Sequence, residues 1–148
     1  MKKFLKIFIL SAAYSLLLLC CNKSGSNKVT SSLDGKWKMV TVKDIASGIE
    51  TTKPSSVQGE VEITFTSINA LGGTFNGKTP SNEIESAKFS LGANQSISIS
   101  ELSMTKVNET DWGFNFTDNI RSALNYSIRP DGKLDITTTN KTLSFQKL

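Results

Sequence analysis

The chain has no histidine, and its only two cysteines are neighbours, Cys20 and Cys21. Beyond position 21 there is neither a thiol nor an imidazole. That excludes a Cys or His nucleophile, a Ser-His-Asp triad and a Cys/His zinc site from the body of the protein. It also excludes a structural disulfide, so any folded domain must hold on its core alone. The apolar run from Ile7 to Leu19 is broken only by Ser11 and Ser15. Its roughly 13 residues extend about 20 Å as helix, too little for a hydrocarbon core of about 30 Å. Neither sign of charge dominates. There are 17 basic and 13 acidic side chains, and Lys2, Lys3 and Lys6 precede the apolar run. From Cys21 onward 14 basic residues face 13 acidic ones, a balance of +1 scattered along the chain, which gives no footprint for nucleic acid.

What is present at the start is a cationic opening, a short apolar stretch and small residues before a possible cut. Ending on cysteine, residues 1–20 resemble a bacterial lipoprotein signal. The resemblance demands a small residue before the acceptor cysteine. Cys20 meets that demand for Cys21, whereas bulky Leu19 precedes Cys20, so Cys21 is the expected lipidation site. The resemblance implies a diacylglyceryl thioether on Cys21 and a further acyl chain on its amine, enough for stable anchoring. An ordinary secreted protein with an incidental cysteine pair is the plainer alternative. The segment 21–32 is polar apart from Val29 and reads as a flexible tether. Its 11 residues after Cys21 have an r.m.s. reach of roughly 17–20 Å. No acidic cluster follows Cys21, which favours an outer membrane address facing the periplasm over the cell surface.

Residues 33–148 are the size of one domain, and period-two alternation dominates them. Trp37 and Met39, then less cleanly Val40 and Val42, mark a strand at about 36–43. Val61, Ile63 and Phe65 alternate with Glu60, Glu62, Thr64 and Thr66, the pattern of a half-solvated strand. Phe75 follows Gly72-Gly73-Thr74. Ile84, Ala87, Phe89 and Leu91 mark another strand. Ile97 and Ile99 alternate with serines, and Leu102 and Met104 read as continuing that parity. Tyr126 and Ile128, a Pro130-Asp131-Gly132 turn, Leu134 and Ile136, a turn near Asn140-Lys141, then Leu143 and Phe145 read as a closing meander.

One segment has a different period. Trp112, Phe116, Ile120, Ala123 and Leu124 fall on one face of a helix over about 111–124. Thr110 or Asp111 can cap it, while Asn115, Asp118, Asn119 and Ser122 should face water. Gly113 weakens its first turn. The polar stretch from Asp44 to Gly59 reads as a loop of about 15 residues.

Several strings resemble the META domain, also called HslJ-like. Leu33-Asp34-Gly35-Lys36-Trp37-Lys38-Met39-Val40 resembles its opening, and Gly72-Gly73-Thr74-Phe75-Asn76-Gly77 its central Gly/Asn loop. Thr105-Lys106-Val107, Glu109, Trp112-Gly113, Phe116 and Ile120 resemble its strand-to-helix junction. Leu134-Asp135-Ile136 and Leu143-Ser144-Phe145 resemble its closing strands. The resemblance covers about 33–148. It implies a mostly β, compact antiparallel β-barrel-like fold with one packed helix before the final strands. It further implies a role in stress tolerance or envelope maintenance without established catalysis. Gly35, Trp37, Gly72, Gly73, Asn76, Thr105, Trp112 and Phe116 would be its structural motif residues. Many members carry a cysteine beside the central Asn and another after the Thr. Here those places hold Thr74 and Val107 or Asn108, so no redox role transfers.

Other patterns have plainer readings. Gly35-Lys36-Trp37 also resembles the opening of lipocalins, which would make the barrel a binder of a small hydrophobic ligand. Lipocalins place their helix after the barrel strands, however, and Trp37 is equally a core aromatic. Glu60 and Glu62 share a strand face and could in principle do acid–base work, but that face should be solvated. Glu109, Asp111 and Asp118 lie close in sequence without the Asp-x-Asp-x-Asp-Gly spacing of a calcium loop. Trp112 and Phe116 read as helix packing, and Gly72-Gly73 as a positive-φ turn with no helix start behind it to make a phosphate site. No catalytic, metal or cofactor constellation results. The expected function is a non-enzymatic, membrane-anchored envelope lipoprotein that contacts another envelope protein or supports stress tolerance. A lipocalin-like ligand binder, and a hydrolase inhibitor acting through 44–59, are the alternatives.

Overall fold

A computed structural model describes residues 33–148. The leader, Cys20, Cys21 and the tether lie outside the described residues. Nine strands form: β1 (Gly35–Asp44), β2 (Glu50–Thr52), β3 (Glu62–Asn69), β4 (Gly72–Lys78), β5 (Glu83–Leu91), β6 (Ile97–Met104), β7 (Ala123–Ile128), β8 (Leu134–Thr138) and β9 (Lys141–Lys147). Among the described residues one α-helix, α1 (Asp111–Ile120), connects β6 to β7. All pairings are antiparallel, in the order β6-β5-β4-β3-β1-β9-β8-β7, with β2 added beside β1. The two ends of that path approach each other through a bridge between Ser96 and Asn125. The Arg121 guanidinium also donates to the Leu102 carbonyl at 2.9 Å. The result is a nearly closed antiparallel barrel with one helix, as the mostly β reading expects.

The interior holds one continuous apolar core. Phe65 lies between Phe75 and Phe89, with ring centroids 5.3 and 5.2 Å apart. Helix α1 adds Trp112, Phe116 and Ile120, and Phe116 meets Phe145 of β9 edge to face at 6.4 Å. Trp37 is buried, its indole N–H donating to the Leu33 carbonyl at 2.7 Å, with the Lys147 ammonium 5.2 Å from its ring centre.

Where the alternation stumbles in the sequence, the ladder carries an extra residue. Val40 is inserted opposite β9, so Trp37 and Met39 point inward on one parity and Val42 on the other. The same device in β5, between Ile84 and Ser86, explains why Ala87 and Phe89 follow Ile84 out of phase. In β6 the expected single parity fails. Glu101 takes φ 50°, three steps of β6 match two of β5, and burial passes from Ile97 to Leu102. These bulges bend and coil the strands, which a small closed barrel requires.

The helix is shorter than its apolar stripe. Ala123 and Leu124 belong to β7, where Leu124 is the extra residue of a bulge and turns outward. Helix and strand patterns overlap there, and pairing with β8 prevails over the helical continuation. Asn119, expected in water, is buried, and its side-chain amide donates to the Asn115 carbonyl at 3.0 Å. The 44–59 segment is not one loop. Asp44 accepts from the Ser47 amide at 2.8 Å, the chain reverses, and β2 pairs with β1. Beyond β2, the Lys53 ammonium reaches the Val57 and Gly59 carbonyls and Glu60. The Pro130-Asp131-Gly132 and Asn140 turns fall where expected, with Gly132 at φ 79°.

Candidate functional site

The most developed polar arrangement joins the β4–β5 connection to the start of α1. Thr79 and Asn82 close a turn in which the Thr79 N–H donates to the Asn82 carbonyl at 2.7 Å. The Asn82 amide group then uses both of its ends. Its oxygen accepts from the Val107 N–H at 2.7 Å and the Thr105 hydroxyl at 3.1 Å. Its nitrogen donates to the Val107 carbonyl and to Glu109 Oε2, each at 3.0 Å. Glu109 is buried and also accepts from the Thr79 hydroxyl and, at 2.8 Å, from the Thr110 N–H. Thr110 caps the helix by accepting from the Gly113 N–H at 3.1 Å.

This node makes Gly113 intelligible. A Cβ at position 113 would collide with the Glu109 carboxyl carbon and Oε1, and would lie 2.6 Å from Cγ. The glycine that weakens the first turn is the space into which the carboxylate folds. Burial pushes the Glu109 carboxyl up, but hydrogen bonds from Thr79, Asn82, the Thr110 amide and Ser81 outweigh it and hold the group below its ordinary range. A carboxylate depressed in the folded state contributes stability that is fully present above its unfolded pKa, near 4.5, and is lost as pH falls through the folded value. Thermal unfolding followed from pH 7 to pH 3 should therefore show a decline below about pH 4.5 that is shallower in Glu109→Gln. Parallel curves for the two proteins would remove Glu109 from the acid response.

The paired-carboxylate pattern separates in three dimensions. Glu62 lies in β3 between two lysines, 2.7 Å from Lys36 Nζ and 3.6 Å from Lys78 Nζ. The hydrogen bond from Lys36 lowers its pKa most, partial burial opposes this, and the charge of Lys78 adds to the lowering. Glu60 precedes the strand and pairs with Lys53 at 3.0 Å. The expectation of a freely solvated pair is corrected: each carboxylate is tied to lysine, and Glu62 is mostly covered. Glu62 and Asn76 line an open groove of about 380 Å³ on the outer face of the sheet. Glu109, Asp111 and Asp118 do not converge either, and no group of three acidic residues suited to a metal occurs among the described residues.

The motif residues are placed as follows. Gly35, at φ 119°, starts β1 beside the Lys147 stem. Thr105 accepts from the Glu83 N–H at 3.0 Å and belongs to the Asn82 node. Gly72 and Gly73 are not the turn that the sequence suggests. Ala70 and Leu71 form it, and the two glycines are the first residues of β4. A Cβ at Gly73 would collide with the Thr66 carbonyl oxygen and lie 2.8 Å from Ser67 Cα. At Gly77 it would collide with the Glu62 carbonyl oxygen and lie 2.9 Å from Ile63 Cα. Strand β4 thus lies against β3 with no room for side chains at these points.

Two exposed apolar features have no signature in the sequence, because single aliphatics among polar residues carry no period. Beside the Glu109 node an open groove of about 400 Å³ is lined by Met104, Val107, Phe114, Thr117 and Arg121. Val107 is 62% and Phe114 42% exposed there. At the other end of the strands, Ile68 and Leu71 at the β3–β4 tip are each 71% exposed.

No protein-family model matches the sequence, and no curated protein matches it. The fold is similar to that of a protein from Burkholderia xenovorans solved by NMR, with a TM-score of 0.57 and 18% identity. The match covers 87% of this chain and 99% of the other. At that identity the likeness extends to the β-rich, barrel-like fold.

Proposed function

We propose that the chain is a META-like (HslJ-like) envelope lipoprotein, held by acyl chains on Cys21 to the outer membrane on its periplasmic side. In this reading it acts without catalysis, by contact with another envelope protein. The observation that carries the reading is where the apolar surface lies. The barrel interior is filled by its own aromatic and aliphatic side chains, which weighs against a lipocalin-like chamber. The exterior groove of Val107 and Phe114 is available at the end of the strands away from Leu33, where the tether joins. A groove presented away from the tethered end is open to a neighbouring protein. Lys106 and Arg121 border it and suit an apolar segment flanked by acidic residues. The order and spacing of the strings around Trp37, Gly73-Asn76, Thr105 and Trp112 support the family assignment. The β1–β2 hairpin offers exposed Ile45 and Ile49, but nothing there resembles a built inhibitory site.

The test is photo-crosslinking in intact cells, with a photoreactive residue at position 114 of the lipidated protein. A discrete adduct should form, vanish in Val107→Asp and persist in Ile49→Asp. An adduct indifferent to Val107, or turnover of an envelope substrate abolished by one point change, would overturn the reading.

A further inference from the structure

Resting on the anchored reading above, we propose that the β3–β4 tip is a membrane-contact element. It seats Ile68 and Leu71 in the interfacial zone of the bilayer that holds Cys21.

Position comes first. The described chain begins at Leu33, and the Asp34 carboxylate accepts from the Ser67 N–H at 2.7 Å. The tip is thereby fixed beside the point where the tether joins the barrel. Read as the tether that its composition predicts, the stretch of 11 residues between Cys21 and Leu33 would keep this end within roughly 17–20 Å of the surface.

The tip is also shaped to present its side chains. Phe65 and Ser67 point inward and Ile68 outward, and Ile68 is also the extra residue of a bulge between Ser67 and Asn69. Asn69 Oδ1 accepts from the Leu71 N–H at 2.8 Å, and the Leu71 carbonyl accepts from the Leu91 N–H at 2.7 Å. Both backbone groups of Leu71 are therefore engaged, which lowers the cost of their leaving water.

Charge completes the match. From Ser67 to Thr74, and from Phe89 to Ser100 in the neighbouring connection, there is no Asp, Glu, Lys or Arg. Elsewhere the barrel ends are charged: Lys43, Asp44, Glu50 and Lys141 surround the β1–β2 hairpin. Two uncharged connections with two projecting aliphatics, next to a lipid tether and with the neighbouring Asp34 carboxylate occupied by the Ser67 N–H, suit the headgroup–acyl boundary. Two side chains are too little to bind a membrane unaided. They set the orientation of a domain that the acyl chains already hold, and leave the Val107–Phe114 groove facing away.

The mature lipidated chain carries no free thiol, because Cys20 leaves with the signal and the sulfur of Cys21 is a thioether. Leu71→Cys therefore accepts a single environment-sensitive dye. The labelled full-length lipoprotein is reconstituted into phosphatidylethanolamine–phosphatidylglycerol vesicles, with Ile68→Cys as a second site and Ile49→Cys as the distant control. Flotation reports the anchor and the dye reports the contact. At positions 68 and 71, emission should rise several-fold, shift to the blue and be quenched by lipids brominated near the top of the acyl chain, while position 49 stays water-like. Protein that floats with water-like dye at 68 and 71 overturns the contact and leaves the anchor standing. Protein that lacks acyl chains by mass and does not float overturns both. A blue shift that needs high protein concentration and no lipid makes the tip a contact between two copies, which also overturns the proposal.

Discussion

Gly77→Ala, and separately Gly73→Ala, should destabilise the barrel by about 3 kcal/mol or more, enough to leave much of the protein unfolded. At both sites the atom that an added methyl meets is backbone of β3, the Glu62 or the Thr66 carbonyl oxygen, and no rotamer change can relieve it. The two strands must separate, and the ladder from Glu62↔Lys78 to Ser67↔Gly73 must lengthen with them. Phe65 and Phe75 face each other across that ladder and would lose their packing. Urea unfolding of the two variants beside Gly48→Ala makes the comparison. Gly48 has positive φ but open space around it, so its substitution carries only the conformational cost of roughly 1 kcal/mol. A Gly77→Ala protein within about 1 kcal/mol of the parent would mean that the strands do not need this close approach.

Much of the fold is legible because a half-buried strand must alternate. The inward set Ile63, Phe65, Phe75, Leu134, Ile136, Leu143 and Phe145 can be read directly from the chain. Bulges are harder to read. An extra residue at Val40, Glu85, Glu101 or Leu124 leaves only a skipped beat, and the same skip could mark a strand end or a helix. That ambiguity lets the helical stripe run on through Ala123 and Leu124, which the structure places in β7. The short β2 carries no pattern because all three of its residues are exposed, so its pairing with β1 had no hydrophobic signature.

The candidate site was less legible still. Trp37, Trp112 and Phe116 are visible as large apolar residues. Asn82 and Thr79 are visible as nothing in particular, since their role depends on contacts 25 to 30 residues away. Glu109 and Gly113 each had a bland local reading, as a charge before a helix and as a poor helix former. Only their distance apart reveals that one makes room for the other.

That pairing leads to a sign reversal. In an ordinary first turn, Gly113→Ala would gain up to about 1 kcal/mol from helix propensity. Here it should lose about 2 kcal/mol. The new methyl occupies the volume of the Glu109 carboxyl, which must then abandon Thr79, Asn82 or the Thr110 amide while still buried. Glu109→Ala alone should lose roughly 2–4 kcal/mol, because the donors of Thr79 and Asn82 are left facing a void. In the double variant the methyl at 113 meets no carboxyl, so it regains its propensity benefit and the combined loss falls below that of Glu109→Ala alone. The coupling measured by a double-mutant cycle at pH 7 should be about 2–3 kcal/mol, the loss at 113 plus the propensity benefit it regains. It should shrink as the cycle is repeated at successively lower pH, through the depressed folded-state pKa, where the carboxyl protonates and its advantage over alanine narrows. Losses at 109 and 113 that simply add within about 0.5 kcal/mol would show that the carboxylate does not depend on the missing side chain.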